Sequence, residues 1–210
     1  VVDRPGTETA AANGGLGHIG VPPIADLDGD TSLAARTCRL HFAAARDALL
    51  REHEWNFATA WCVPAAAPEA AIGPLAIRYP LPADCVRVRF VDELTTDEWA
   101  VEAASVTDAT GATIESMVLV TNAEAPSVCY TRRVETPAMW DPLFYGVFTR
   151  RLGALCAPAL ARDPSVGALK QREADDMLAP AKKVDSREKA PKEISRDTSW
   201  IRARRGWQRP

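Results

Sequence analysis

The chain has 210 residues, 47% of them hydrophobic, and a formal charge of −3; this fits one domain with a sizeable core, not a disordered or fibrous chain. No apolar run approaches the roughly 20 residues a membrane-spanning helix needs, and the opening VVDRPGTE is polar and acidic, unlike a secretory signal. Five cysteines at 38, 62, 85, 129 and 156 are irregularly spaced with no C-x-x-C, so reduced, buried thiols and a soluble cytoplasmic product are expected.

Residues 5–17 predict a short helix, weakened by Asn13-Gly14-Gly15, and 20–30 a loop marked by Pro22-Pro23 and Asp28-Gly29. A long helix is expected over about 31–53, capped by Asp30 or Thr31. Ala34, Cys38, Phe42, Ala45 and Leu49 make its apolar stripe, and Asp47 to Arg51 an i,i+4 pair. The period then changes. Segments 57–63, 76–81, 85–91, 99–106, 117–121 and 127–133 are short, rich in Val, Ile and aromatics, and separated by Pro, Gly, Asp and Asn. They predict a meander of five or six strands, with a turn at Asp108-Ala109-Thr110-Gly111.

Helices return at Asp141-Pro142, an N-cap acid followed by proline at the first helical position. Leu143, Phe144, Val147, Phe148, Leu152, Leu155 and Ala159 form the expected stripe over about 141–160, with Pro158 kinking or ending it. Asp163-Pro164-Ser165 repeats the start signal for a polar helix over about 164–180, which Pro180 should disturb. The class is α+β: a helical bundle core interrupted by a β-strand insertion over about 56–134, within a body of residues 1–180.

Residues 181–210 form a basic, apolar-poor arm. They carry ten Lys or Arg against four acids, net +6, which leaves residues 1–180 at −9. Too little apolar surface is present for this arm to fold alone, so it should order on a partner. Its docking candidates are Arg187, Lys189, Lys192, Ile194, Trp200, Ile201, Arg202, Arg204, Arg205 and Trp207, because Trp and Arg dominate interface energetics. On this reading, removing 181–210 should leave the melting temperature nearly unchanged while abolishing docking.

Signals for chemistry are sparse. His18, placed in a Gly-rich loop, and His41 and His53 on the long helix have no partner at metal-ligand spacing. Asp26, Asp28 and Asp30 resemble the start of a calcium loop, but Thr31 and Thr37 stand where Gly and Glu are needed, so a turn and a helix cap are expected. Asn13-Gly14-Gly15-Leu16-Gly17 follows no predicted strand, no phosphate-binding loop motif occurs, and Ser32, Ser105, Ser116 and Ser127 lack a nucleophile-elbow setting. The expectation is no catalytic residue, no metal and no cofactor.

Several segments in order resemble one family. Residues 35–39 (ARTCR), 46–51 (RDALLR) and 55–58 (Trp55, Asn56, Phe57, Ala58) are similar to the opening of the podovirus-type bacteriophage head-to-tail adaptors, the tail tubular protein A-like connectors. Residues 79–88, with Tyr79, Pro82 and Asp84, resemble that family's "Y-x-L-P-x-D-C-L-R-V". The stretches 129–134 (CYTRRV) and 140–144, with Trp140, Asp141 and Pro142, resemble its later "Y … R-V" and "W-D-P-L-F" signals. Residues 185–188 and 200–204 resemble its C-terminal arm.

The resemblance implies a structural virion protein at the head-tail junction, assembled in the host cytoplasm as a twelve-copy ring beneath the portal. Its arm would grip the portal protein, its β insertion would face a downstream tail or nozzle protein, and genomic DNA would pass through the channel without sequence-specific binding. Neither a membrane nor an enzymatic activity is implied. The same residues have packing roles: Trp55 and Phe57 plugging the helix-to-sheet junction, Pro80 and Pro82 fixing a strand entry, Asp84 capping the turn there, and Trp140 stapling the helix that Asp141 caps. Two other classes stay open. One is a nucleic-acid-binding protein using the basic tail, with salt-sensitive affinity. The other is a small hydrolase of the phage or host envelope, which would need a carboxylate pair.

Overall fold

The computed structural model describes residues 6–69, 71, 73–92, 94–107, 112–161, 163 and 165–188. The elements run α1 (Glu8–His18), α2 (Leu33–Glu52), β1 (Thr59–Cys62), β2 (Ile77–Pro80), β3 (Cys85–Val91), β4 (Trp99–Thr107), β5 (Thr113–Thr121), β6 (Val128–Arg132), α3 (Pro142–Leu160) and α4 (Ser165–Arg187). Helices flank the strands in sequence, so the class is α+β with the strands inserted between α2 and α3.

α1 starts where the hydroxyl of Thr7 accepts from the Ala10 amide (3.1 Å) and runs through His18, so His18 is helical and not in a loop. Its glycines, expected to weaken it, are where it crosses α3. A Cβ on Gly153 of α3 would lie 2.7 Å from the Gly15 carbonyl oxygen, closer than real Cβ atoms come. Asn13 is equally occupied, donating to the Ile24 carbonyl (3.0 Å) and accepting from the Ile24 amide (2.8 Å). The packing of the crossing offsets the roughly 1 kcal/mol that a helical glycine costs.

α2 is capped by Ser32, whose hydroxyl accepts from the Ala35 amide (3.2 Å), and not by Asp30 or Thr31. Asp30 instead closes the preceding turn on the Ser32 amide (2.7 Å), as Asp26 does on that of Gly29 (2.8 Å). Cys38, Phe42, Ala45 and Leu49 are buried as expected. The Asp47–Arg51 pair does not form: Asp47 holds Arg46 (2.9 Å) and Arg133 (2.8 Å), while Arg51 donates to the Val86 carbonyl (2.8 Å). Both acceptors tie α2 to the strands, which is a stronger use of the charges than an exposed helical pair.

Strand positions agree with expectation except that residues 57 and 58, expected in the first strand, belong to a short 3-10 turn at Asn56–Ala58, and that β5 begins earlier, where residues 113–116 pair with 104–107. The expected turn at 108–111 lies outside the described residues. The pairing is not a meander. Two three-stranded antiparallel sheets have the orders β1-β6-β3 and β2-β5-β4, and β4–β5 alone joins consecutive strands. Alternation tells which face of a strand is buried, not which strand lies beside it. Here both sheets contribute to one cluster: Val88, Val91 and Val128 from the first, Tyr79 and Leu119 from the second. A separate core unites the four helices with Trp55, Ala58, Val134 and Trp140.

Asp141 caps α3 as predicted, accepting from the amides of Leu143 (2.7 Å) and Phe144 (3.2 Å). The buried stripe is Phe144, Val147, Phe148 and Leu152, then Cys156 and Ala157; Leu155 (42% exposed) and Ala159 face out, and the helix ends two residues past Pro158. α4 differs most. It continues through Pro180 to Arg187, because Ala174, Leu178, Ala181 and Asp185 keep a buried 4-3-4 spacing across the proline. Residues 181–187, expected in the arm, therefore belong to the folded body.

Candidate functional site

Of the proposed arm residues, Arg187 is described, at the exposed end of α4; Lys189, Lys192, Ile194, Trp200, Ile201, Arg202, Arg204, Arg205 and Trp207 lie outside the described residues. The described end of α4 is therefore the candidate site. Two residues before Arg187, Asp185 is buried at 5% exposure. Its carboxylate contacts His53 Nε2 (2.9 Å) and accepts from the Asn56 amide (2.9 Å), and Asn56 Nδ2 donates to its backbone carbonyl (2.5 Å). The last turn of α4 is thus clamped to the end of α2 and to the short turn at Asn56–Ala58. Neither Asp185 nor its pairing with His53 was expected from sequence; the signal that could have found it is the 4-3-4 spacing that makes Asp185 the next inward position.

Beneath the clamp lies an aromatic cluster that unites two segments of the family resemblance. Trp55 packs edge-on against Phe144 (centroids 5.1 Å apart), Phe57 does the same (5.0 Å), and Trp140 lies 5.2 Å from Phe144. Each buried indole is satisfied, Trp55 Nε1 donating to the Leu49 carbonyl (2.9 Å) and Trp140 Nε1 to that of Val134 (2.7 Å). Trp55 and Phe57 therefore plug the helix-to-sheet junction as expected. Trp140 also meets Tyr145 at 6.4 Å, four residues after the Asp141 cap, which is the expected staple.

Arg89 carries the same junction into the first sheet. Its guanidinium donates to the hydroxyls of Thr131 (2.8 Å) and Thr59 (2.7 Å) and to the Trp55 carbonyl (2.8 Å). Tyr79 is buried in β2 with its hydroxyl on the Ala123 carbonyl (2.8 Å). Pro82 sits in the turn entering β3, where its carbonyl accepts from the Cys85 amide (2.8 Å). The Asp84 carboxylate accepts from the Tyr130 hydroxyl (3.3 Å), and its carbonyl takes the Arg133 amide (2.6 Å); both tie the turn to β6.

No protein-family model matches this chain, and no curated protein does. The arm's root must accordingly be judged on its own chemistry. Pro142, Met139, Asp185 and Glu188 border a shallow cleft of about 170 Å³ from which the chain continues. Among the described residues no three His, Cys, Asp or Glu side chains group as a metal site, and no helix is long and apolar enough to cross a membrane. None of the five cysteines is in a disulfide. Burial pushes the Cys85 thiol up to about 11, and a hydrogen bond to Cys38 (3.9 Å between sulfurs) together with burial pushes Cys156 upward. Both thiols stay protonated at neutral pH, which suits packing and not nucleophilic attack. What the arrangement does is hold the last turn of α4 against the end of α2 and the Asn56 turn.

Proposed function

We propose that this chain is the subunit of a bacteriophage head-to-tail adaptor, a ring of about twelve copies that docks beneath the portal, continues the DNA channel and attaches the tail. The observation that carries this reading is the convergence of Trp55, Phe57, Trp140 and Phe144 in one cluster below the Asp185 clamp. Those residues belong to the W-x-F-A and W-D-P-L-F segments of the resemblance, which lie some 80 positions apart in the sequence. A rigid junction beside a basic, apolar-poor arm of opposite charge to the body supports a connector, because such an arm would order on a partner.

In this proposal the portal takes the arm residues from Arg187 to Trp207, a tail or nozzle protein takes the β part, and DNA passes an acidic wall without adhering. The test is to mix the purified chain with the portal ring encoded in the same genome and weigh the product. About twelve copies per portal ring is the expected result. No complex, with salt-sensitive DNA binding in its place, would overturn the proposal and make the tail a nucleic-acid arm.

A further inference from the structure

The β4–β5 hairpin has a charge pattern of its own. From Phe90 to Thr131 the sequence holds eight acids and not one Lys, Arg or His. Within this acidic stretch β4 forms the outer strand of its sheet, nine residues paired without a register break to β5 on one side. Strand edges in natural proteins are blunted by prolines, lysines, bulges or short length. The other edges here follow that rule: β1 and β2 have four residues each, β2 ends in Pro80, and β3 has two register shifts and carries Arg87 and Arg89. β4 has none of these devices.

The direction of its free groups follows from one contact. The Thr107 amide donates sideways to Glu69 Oε1 (3.2 Å), away from β5. With a two-residue period, the amides and carbonyls of Val101, Ala103 and Ser105 face the same open side. No hydrogen bond from outside the ladder reaches these three among the described residues. Beside this edge Val101 and Met117 are 37% and 50% exposed on one face of the sheet together with exposed Glu115, and Glu102 is exposed on the opposite face.

A ligand for such an edge must be extended, basic, and alternate large apolar groups with arginines. Residues 198–206 of this chain, TSWIRARRG, have that pattern: Trp200, Arg202 and Arg204 on one side of an extended strand, Ile201, Ala203 and Arg205 on the other. The intervening residues 189–199 span up to about 35–40 Å when extended. We infer that β4 is a strand-addition site and that its occupant is the chain's own segment 198–206, stored there until another partner takes the arm. The acidic hairpin steers the segment in, the main-chain bonds of Val101, Ala103 and Ser105 hold it, and Val101 with Met117 receives Trp200. The inference concerns the chain alone and does not rest on the portal reading.

The experiment is residue-resolved amide hydrogen exchange on the full chain, wild type against Ile201→Pro and Arg202→Glu, whose changes lie outside the described residues. In the wild type the Val101, Ala103 and Ser105 amides should exchange slowly, like those of a central strand. Both variants should speed them at least about tenfold, with the amides of Glu102 and Ala104 unchanged because those bond to β5. Added salt should act in the same direction. Fast exchange at all three in the wild type, or rates untouched by the variants, would overturn the assignment.

Discussion

At the level of single residues, the close approach of α1 to α3 depends on side chains that are missing. Gly153 faces the Gly15 carbonyl with room for hydrogen but not for carbon, and the obstacle is main chain on both sides. Gly153→Ala must therefore part α1 from α3, and overpacking of this kind costs about 1–3 kcal/mol. Gly17, two residues further along α1, has nothing within 4 Å of its would-be Cβ. Gly17→Ala should be neutral or stabilise by up to about 1 kcal/mol through helix propensity alone. Urea melts of the two variants check the contrast, and equal midpoints would show that the helices do not meet there. In the sequence these glycines are legible only as helix breakers, because propensity concerns one helix and the crossing concerns two. Asp185 escapes notice for a similar reason: a carboxylate in a basic stretch looks solvated until His53 and Asn56 arrive from 130 residues away.

At the level of elements, strand positions and helix starts were legible because they are local: alternation marks the strands, and Asp141-Pro142 and Asp163-x-Ser165 mark helix entries that the structure keeps. Pairing of β1 with β6, and the passage of α4 through Pro180, were not, since both depend on surfaces distant in sequence. The second has a measurable consequence that reverses the truncation expectation. Ending the chain after Pro180 removes buried Ala181 and the whole Asp185 clamp, leaving His53 and Asn56 without their partner. Hydrogen bonds to a charged group are worth about 1.5–3 kcal/mol each, so a loss of about 3 kcal/mol or more is expected. Ending it after Glu188 keeps Ala181 and the Asp185 clamp and forfeits only what the strand added to β4 contributes, so the melting temperature should fall by much less. Calorimetry on both truncations checks this, and identical melting temperatures would mean the last turns of α4 contribute nothing.

Across the whole molecule, the helical core and the core between the sheets are distinct clusters, joined by Val86 of β3, which packs on the helical core, and by polar ties from α2 and the Trp55 turn to β3 and the end of β6. Two weakly acidic groups lie on the sheet side of that joint. Burial, then the Asp84 charge and its hydrogen bond, push Tyr130 from its ordinary 10 up to about 12, and burial with neighbouring Cys62 and Asp84 pushes Cys85 from 9 to about 11. Both hold their protons more tightly when folded. Their contribution to stability is thus complete below pH 9, and as pH rises the unfolded chain releases protons first, so stability falls. The loss should begin near pH 9 with Cys85, deepen from 10 with Tyr130, and be complete at about 12. Tyr130→Phe keeps the ring and removes the ionisation, so its urea midpoint should decline less than that of the wild type between pH 10 and 12, although it starts lower for want of the Asp84 bond. Parallel profiles for the two proteins over that interval would show that burial and the Asp84 charge together do not hold the proton on Tyr130 in the folded chain.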